Sequence, residues 1–181
     1  MNHIEFIKTA MKDYRVGAVT KSSKYTAENI AQKIKRGARV AVEYGAGDGS
    51  VTKKILERLS PVGKLAAIEI NEELHSILKE ITDKRLSAIK SDVVSLSRDF
   101  SQFGFEKAEV VVSGIPFTFF ASKTREEIVR NTARNLAPQG QFIVYQYTPL
   151  VLPLLKNHFK RVKIYYEIRN FLPYFIMVAE K

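Results

Sequence analysis

The sequence contains no cysteine, and its three histidines, His3, His75 and His158, are scattered. The first absence excludes a disulfide framework and a thiolate metal site. Together the two argue against a metal centre. No apolar run approaches the roughly 20 residues that a helix needs to span a bilayer. The N-terminus also lacks the continuous apolar stretch of a secretory signal. These absences point to an intracellular protein, either soluble or peripheral to a membrane.

Acidic residues are in short supply as well. Lys plus Arg number 29 against 19 for Asp plus Glu, a formal charge of +10. Such a surplus favours an anionic partner, either nucleic acid or an anionic membrane surface. Charge alone does not choose between them. A length of 181 residues with 45% hydrophobic content suits one domain, 1–181, with a sizeable core.

The first fifteen residues read as an amphipathic helix, about 2–15. Ile4, Ile7, Met11 and Tyr14 recur at helical spacing, with Lys8, Lys12 and Arg15 on another face. Such a helix can lie in a membrane interface or pack on its own domain. Val16 to Ser23 is small and polar and reads as a loop. A helix is then predicted from Thr26 to Lys35, ended by Gly37. Residues 39–44 form a continuous apolar strand of the kind found in the middle of a parallel sheet.

From there strands and helices alternate. The pattern predicts a helix from Ser50 to Leu59, stopped by Ser60-Pro61-Val62-Gly63, and a strand over 64–70. Asn71 caps the next helix, with Glu72 and Glu73 in its first turn and a buried stripe of Leu74, Ile77, Leu78 and Ile81. Further strands are expected at 86–90, 108–113, 141–147, 162–168 and 174–179. One short helix is expected before Phe105. Thr124 and Glu127 suggest a capping box for a helix running to about Leu136. The last two strands are close enough in sequence to pair as an antiparallel hairpin. Alternation of this kind implies an α/β fold with a mostly parallel sheet.

The most informative stretch is Val40-Ala41-Val42-Glu43-Tyr44-Gly45-Ala46-Gly47-Asp48-Gly49-Ser50. A strand enters an acidic residue, a G-x-G-x-G turn follows, and a helix opens. The glycines permit positive φ and close approach of a ligand. The spacing differs from the G-x-G-x-x-G of dinucleotide binders. Glu43 disfavours a pyrophosphate here and favours a ligand that carries an ammonium group. The stretch resembles motif I of the class I S-adenosylmethionine (SAM) methyltransferases. That resemblance implies a Rossmann-like, seven-stranded sheet of order 3-2-1-4-5-7-6 with the last strand antiparallel and helices on both faces.

In open α/β sheets, ligands bind beyond the carboxyl ends of the strands. Glu43 and Glu69 end the first two strands, and Asp92 follows the third. The resemblance implies that Glu43, Gly45, Ala46 and Gly47 face the methionine end of the cofactor. Glu69 and Ile70 would then meet the ribose. Asp92 and the Val93 backbone N–H would meet the adenine. Ser113 to Phe117 follows the fourth strand, where the methyl acceptor is expected. Ser113, Gly114, Pro116 and Phe117 are therefore the candidates for the reacting centre, Ser113 also touching cofactor. In-line attack on the methyl requires alignment and a free lone pair. No Ser–His or Cys–His pair is needed, and no metal.

Val112-Ser113-Gly114-Ile115-Pro116-Phe117 also resembles motif IV of the amino methyltransferases. In the rRNA adenine dimethyltransferases an Asn stands where this chain has Gly114, and glycine cannot accept from an exocyclic amine. Phe117 is expected to pack against the acceptor. A wider match joins Phe6-Ile7, Val16 to Ser23, the glycine turn and Ser113 to Phe117. It resembles the small bacterial-type phospholipid N-methyltransferases, which are related to the rRNA enzymes. They methylate the amine of phosphatidylethanolamine-like lipids and reach the membrane through an N-terminal helix.

This resemblance implies SAM and S-adenosylhomocysteine as ligands, and a lipid amine on an anionic membrane surface as acceptor. It further implies a cytoplasmic location, peripheral to the inner face of the membrane. Loop residues Thr20, Ser22 or Tyr25 would lie near the methionine end or the lipid phosphate. The alternative acceptors are RNA adenine and another small amine. Charging Ile7 and Met11 is expected to weaken vesicle binding.

Overall fold

A computed structural model describes residues 24–168 and 173–181. The expected amphipathic helix at 2–15, the loop before Ser23, Thr20 and Ser22 lie outside the described residues. The order of elements begins with α1 (Lys24–Lys33), β1 (Ala38–Tyr44), α2 (Ser50–Arg58), β2 (Leu59–Glu69), α3 (Glu72–Lys79) and β3 (Leu86–Lys90). It continues with α4 (Val93–Leu96), a 3₁₀ turn (Ser101–Phe103), β4 (Ala108–Ser113) and a second 3₁₀ turn (Phe117–Phe119). Then come α5 (Ser122–Asn135), β5 (Leu136–Gln146), α6 (Leu152–His158), β6 (Arg161–Glu167) and β7 (Tyr174–Glu180).

The seven strands form one sheet in the order β3-β2-β1-β4-β5-β7-β6. β7 runs antiparallel to both neighbours, and the remaining pairs are parallel. This is the architecture expected from the sequence. The later parts of β1, β4 and β5 (residues 41–44, 110–113 and 140–146) are buried on both faces, as central strands of a parallel sheet are.

The period-two alternation of strand side chains divides the core into two layers. Val42, Tyr44, Val111, Phe142 and Val144 pack with Ile128 and Val129 of α5 on one face. Ala41, Val110, Val112 and Ile143 pack with Ile30 and Ile34 of α1 and Ile55 of α2 on the other. Each such aliphatic side chain, fully buried, contributes roughly 1.5–3 kcal/mol.

Several local expectations need correction. Ser60-Pro61-Val62-Gly63 does not separate helix from strand. α2 runs straight into β2 at Leu59, which already pairs with Ala38, and the next partner of β1 is Lys64 opposite Val40. Residues 60–63 are therefore looped out of a strand that has already begun. Ala137-Pro138-Gln139-Gly140 repeats the device, between the pairs Ala108↔Leu136 and Val110↔Gln141. In both, Gly allows close backbone approach. A Cβ would lie 3.0 Å from the Ser60 carbonyl oxygen at Gly63 and 2.9 Å from that of Ala137 at Gly140.

Thr124 does not cap α5. The extended Ala121 starts the helix earlier and no side chain caps it, while Glu127 instead accepts from the Arg98 guanidinium at 2.9 Å. On α3, Asn71 caps as expected, its Oδ1 accepting from the Leu74 N–H at 3.1 Å. Ile77, expected in the buried stripe, is exposed, and Leu78 fills the core position.

Candidate active site

The glycine turn leaves β1 with Gly45, Gly47 and Gly49 all at positive φ (72°, 59° and 78°). The Gly45 and Ala46 N–H groups both donate to the Ile68 carbonyl, at 2.9 and 3.0 Å, tying the turn to the end of β2. A Cβ on Gly45 would meet Ile115 Cγ2 at 3.0 Å, whereas Gly47 has open space on that side. A ligand can therefore come down onto the backbone at Gly47. Glu69 organises the approach. Its Oε2 accepts from the Gly47 N–H and its Oε1 from the Asn71 N–H, each at 2.8 Å. Burial raises its pKa, and these N–H donors oppose the rise.

Glu43 lies beneath the turn with no exposed surface. One carboxyl oxygen accepts from the Thr52 hydroxyl at 2.6 Å, while Oε1 is buried without a partner. Burial pushes the carboxyl up to about 8, opposed by the Thr52 bond and reinforced by the charges of Glu69 and Asp48. An orphaned acceptor in a dry site is costly. An ammonium group reaching Oε1 would supply the missing partner, so this site fits a cofactor with an amino-acid end. Sequence reading overlooked Thr52. Its signal was a polar residue on the buried face of α2 among Val51, Ile55 and Leu56.

A cleft at the carboxyl edge of the sheet brings together Gly45, Glu69, Ile70, Asp92, Val93 and Pro116. Asp92 also caps α4, accepting from the Val94 N–H at 3.1 Å. Ile115 and Phe120 form the apolar wall opposite Val93. A flat, partly polar ring is the natural occupant of such a space.

On the acceptor side, Ser113 is fully buried and its hydroxyl has no partner. Phe117 departs from expectation. It is completely buried in the core beside Phe120, with ring centroids 6.3 Å apart, because the 3₁₀ turn after Pro116 rotates it inward. It therefore offers no exposed wall to an acceptor. Tyr25 stands half exposed on the first turn of α1. Gly114 donates its N–H to the Tyr44 carbonyl at 2.9 Å and has Tyr145 directly over it. Tyr145 had not been singled out, because only the register of β4 on β5 brings it there. Among the described residues no cluster of His, Cys, Asp and Glu could hold a metal.

No family model matches the chain. Curated proteins do. The ornithine lipid N-methyltransferase of Singulisphaera acidiphila is 32% identical over 154 residues, covering 83% of this chain and 79% of the relative. The carboxy-S-adenosyl-L-methionine synthase of Sulfurimonas denitrificans is 22% identical over 150 residues, covering 83% of this chain and 61% of that protein.

Among solved structures, a 1,6-didemethyltoxoflavin-N1-methyltransferase from Burkholderia thailandensis superposes with a TM-score of 0.73. Its identity is 16%, over 97% of this chain and 86% of that one. The N-methyltransferase NodS of Bradyrhizobium japonicum gives 0.72 at 11% identity, over 89% and 95%. At these identities the solved structures establish the fold.

Proposed function

Because the chain belongs to the class I SAM-dependent methyltransferases, the family of the ornithine lipid N-methyltransferase, we propose that its acceptor is the amine of a membrane lipid. SAM is its methyl donor, and its activity is methyl transfer. Bound SAM supplies a methyl group made electrophilic by the sulfonium. The chain's own residues then have a positioning task. Glu43 and Glu69 would hold the cofactor's polar groups, Asp92 and Val93 its base, and Ser113 to Pro116 would border the incoming nitrogen. The acceptor ammonium would first give a proton to solvent, and the freed lone pair would form the new N–C bond as the S–C bond breaks.

The observation that carries the lipid reading is where apolar side chains are left exposed. Six large hydrophobics among the described residues are exposed: Tyr25, Val62, Ile77, Leu150, Tyr166 and Ile168. Leu150 follows β5 and Ile168 follows β6, so both stand at the carboxyl edge, where the cleft opens. Tyr166 lies two residues before Ile168, on the edge strand β6. Tyr25 is on the α1 turn near Asn29, which donates to Glu167 at the end of β6 at 3.0 Å. Val62 stands instead in the 60–63 corner at the opposite edge; an apolar margin on the β5–β6 side of the carboxyl edge, on a chain of charge +10, suits an anionic bilayer. No helix among the described residues is long and apolar enough to cross a membrane, so contact through such a rim is peripheral. A cytoplasmic-face location follows from this reading.

The test is incubation of the protein with methyl-labelled SAM and, in parallel, total lipid extract and total RNA. Label in the aminolipids is expected. Label in RNA with unlabelled lipid overturns the reading.

A further inference from the structure

We infer that the amino edge of the sheet, at the end of the strands opposite the cleft, is a docking surface for a single-stranded polynucleotide, held through its phosphates and not methylated. The inference does not depend on the lipid reading and concerns a surface which that reading leaves unused.

The charge surplus has a place in the fold. Lys35, Arg36 and Arg39 surround the start of β1, Lys107 precedes β4 and Lys160 precedes β6. Lys181 follows β7, which runs the other way. All six cations therefore sit at one end of the strands. β1, β4, β5, β7 and β6 are consecutive in the sheet. The cations thus form a row across these strand ends, roughly 20 Å long at an inter-strand spacing of about 4.8 Å. The Lys160 N–H donates to the Glu180 carbonyl and the Lys181 N–H to the Gly140 carbonyl, each at 3.0 Å, which fixes the far half of the row. The ammonium groups of Lys107 and Lys181 both donate to the Arg134 carbonyl, at 2.8 and 3.3 Å. Burial lowers the Lys181 pKa, and the charges of Lys107 and Lys160 lower it further.

Little acid offsets the row. Glu180 pairs with Arg161 at 3.6 Å, Asp99 accepts from the N–H and hydroxyl of Ser101, and Glu109 accepts from the Arg39 backbone N–H. Glu106, next to Lys107, is exposed. Among the described residues no group pairs with the exposed side chains of Arg36, Arg39 or Lys160. A row of like charge without counter-charge attracts an anionic partner.

The relief of the surface selects which one. Between the start of β1 and the 137–140 corner lies a groove of about 300 Å³, lined by Lys35, Arg36, Gly37, Glu109 and Gln139 among others. The Lys35 ammonium donates to the Gln139 carbonyl at 2.9 Å across it. A flat bilayer meets protrusions and cannot follow a groove, whereas a chain can. The lining also sets a carboxylate and an amide beside the cations. Glu109 repels a uniformly acidic peptide. A polynucleotide alternates phosphates with base N–H and sugar O–H donors, and so uses both kinds of group. No aromatic side chain lines the groove, so stacking contributes nothing and phosphate contacts dominate, with little sequence preference. β4 is 6 residues long, which separates the row from the cleft by roughly 20 Å. A strand held at the row therefore presents no base to the cleft, and a bilayer against the carboxyl-edge margin leaves the row free.

The test is fluorescence anisotropy of a labelled single-stranded RNA of about 15 nucleotides, titrated with the full chain over a range of salt. Log Kd should rise with log salt with a slope of about 3, as for about four neutralised phosphates. The combined variant Arg36→Glu, Arg39→Glu, Lys160→Glu should bind about 10-fold more weakly or worse, with a slope lower by about 1–2. Its SAM affinity and its methylation of aminolipid should stay within a factor of about 2 of wild type. Ile168→Asp, at the other end of the strands, should leave RNA binding unchanged. Absence of salt-dependent RNA binding overturns the inference, as does undiminished binding by the combined variant. Polyglutamate that competes as well as unlabelled RNA of equal charge overturns it in favour of an acidic protein. A combined variant that loses anionic vesicles but keeps RNA overturns it in favour of lipid. Methyl label in the bound RNA overturns the separation from the cleft. The lipid reading is judged apart from all of these, by label in the aminolipids.

Discussion

Thr52 donates to Glu43 at 2.6 Å and leaves the second carboxyl oxygen buried and unpaired. The pair has a pH signature. Burial raises Glu43 to about 8 in the folded chain, above its ordinary value of 4.5. The folded state therefore holds a proton that the unfolded state has released. The stabilisation is complete below about 4.5 and is lost as pH rises through about 8. Thermal melting without cofactor should show this decline, and Glu43→Gln should flatten it. Binding of an ammonium-bearing ligand at Oε1 favours the carboxylate, so SAM binding near pH 7 should release a proton. Titration calorimetry in buffers of different ionisation enthalpy measures that number directly. A value of zero removes Glu43 from contact with the cofactor.

Glu69 holds the Gly47 and Asn71 N–H groups in place. Glu69→Ala removes both charge-assisted bonds and any acceptor for ribose hydroxyls. Bonds to charged groups are worth roughly 1.5–3 kcal/mol. SAM affinity should therefore fall by about 10- to 100-fold, read by equilibrium binding, with the far-UV circular dichroism unchanged.

Gly114 and Tyr145 cannot vary independently. Gly114→Ala drives a methyl group into the phenol ring and should cost about 1–3 kcal/mol in chemical denaturation. Tyr145→Phe does not relieve the overlap, because the ring carbon Cζ remains 2.6 Å from the new methyl position. Tyr145→Leu combined with Gly114→Ala should recover about 0.5 kcal/mol or more beyond additivity. Strict additivity would mean that the two residues do not share space in solution.

The exposed rim should matter for membranes and for nothing else. Ile168→Asp and Tyr166→Asp each remove apolar contact and add repulsion from an anionic surface. Cosedimentation with vesicles containing anionic lipid should drop several-fold in each and fall further with salt. Binding of SAM should be unaffected. Undiminished sedimentation of both variants at low salt would show that another surface meets the lipid.

Much of this arrangement was legible from residue order. Apolar runs such as Val110-Val111-Val112 announced central strands. Asn71 announced its cap, and the acidic strand ends marked the edge where the cleft opens. What escaped was set by neighbours distant in sequence. Ser60-Pro61-Val62-Gly63 has the composition of a loop, and only the pairing of Leu59 with Ala38 makes it an excursion within a strand. Phe117 looked like a wall for the acceptor, yet a single 3₁₀ turn directs it into the core. Thr52 and Tyr145 carry no local motif. Each gains its role from the strand packed against it.

The paired corners at 60–63 and 137–140 act far from where they sit. Their flanking strands β1 and β4 are adjacent, and the Arg39 N–H reaches Glu109 Oε2 at 3.3 Å between them. At the opposite end the same two strands end at Tyr44 and Ser113 and are followed by Gly45 and Gly114. On the reading proposed above, methyl donor and methyl acceptor would meet at the tips of these neighbouring strands, one inter-strand spacing of about 4.8 Å apart. The two excursions mark the places where the register of β1 on β2 and of β4 on β5 shifts, at the far end of the same strands. A bulky replacement at Gly63 or Gly140 would press on the backbone at Ser60 or Ala137 and disturb the register of the strands that carry the cleft at their other end.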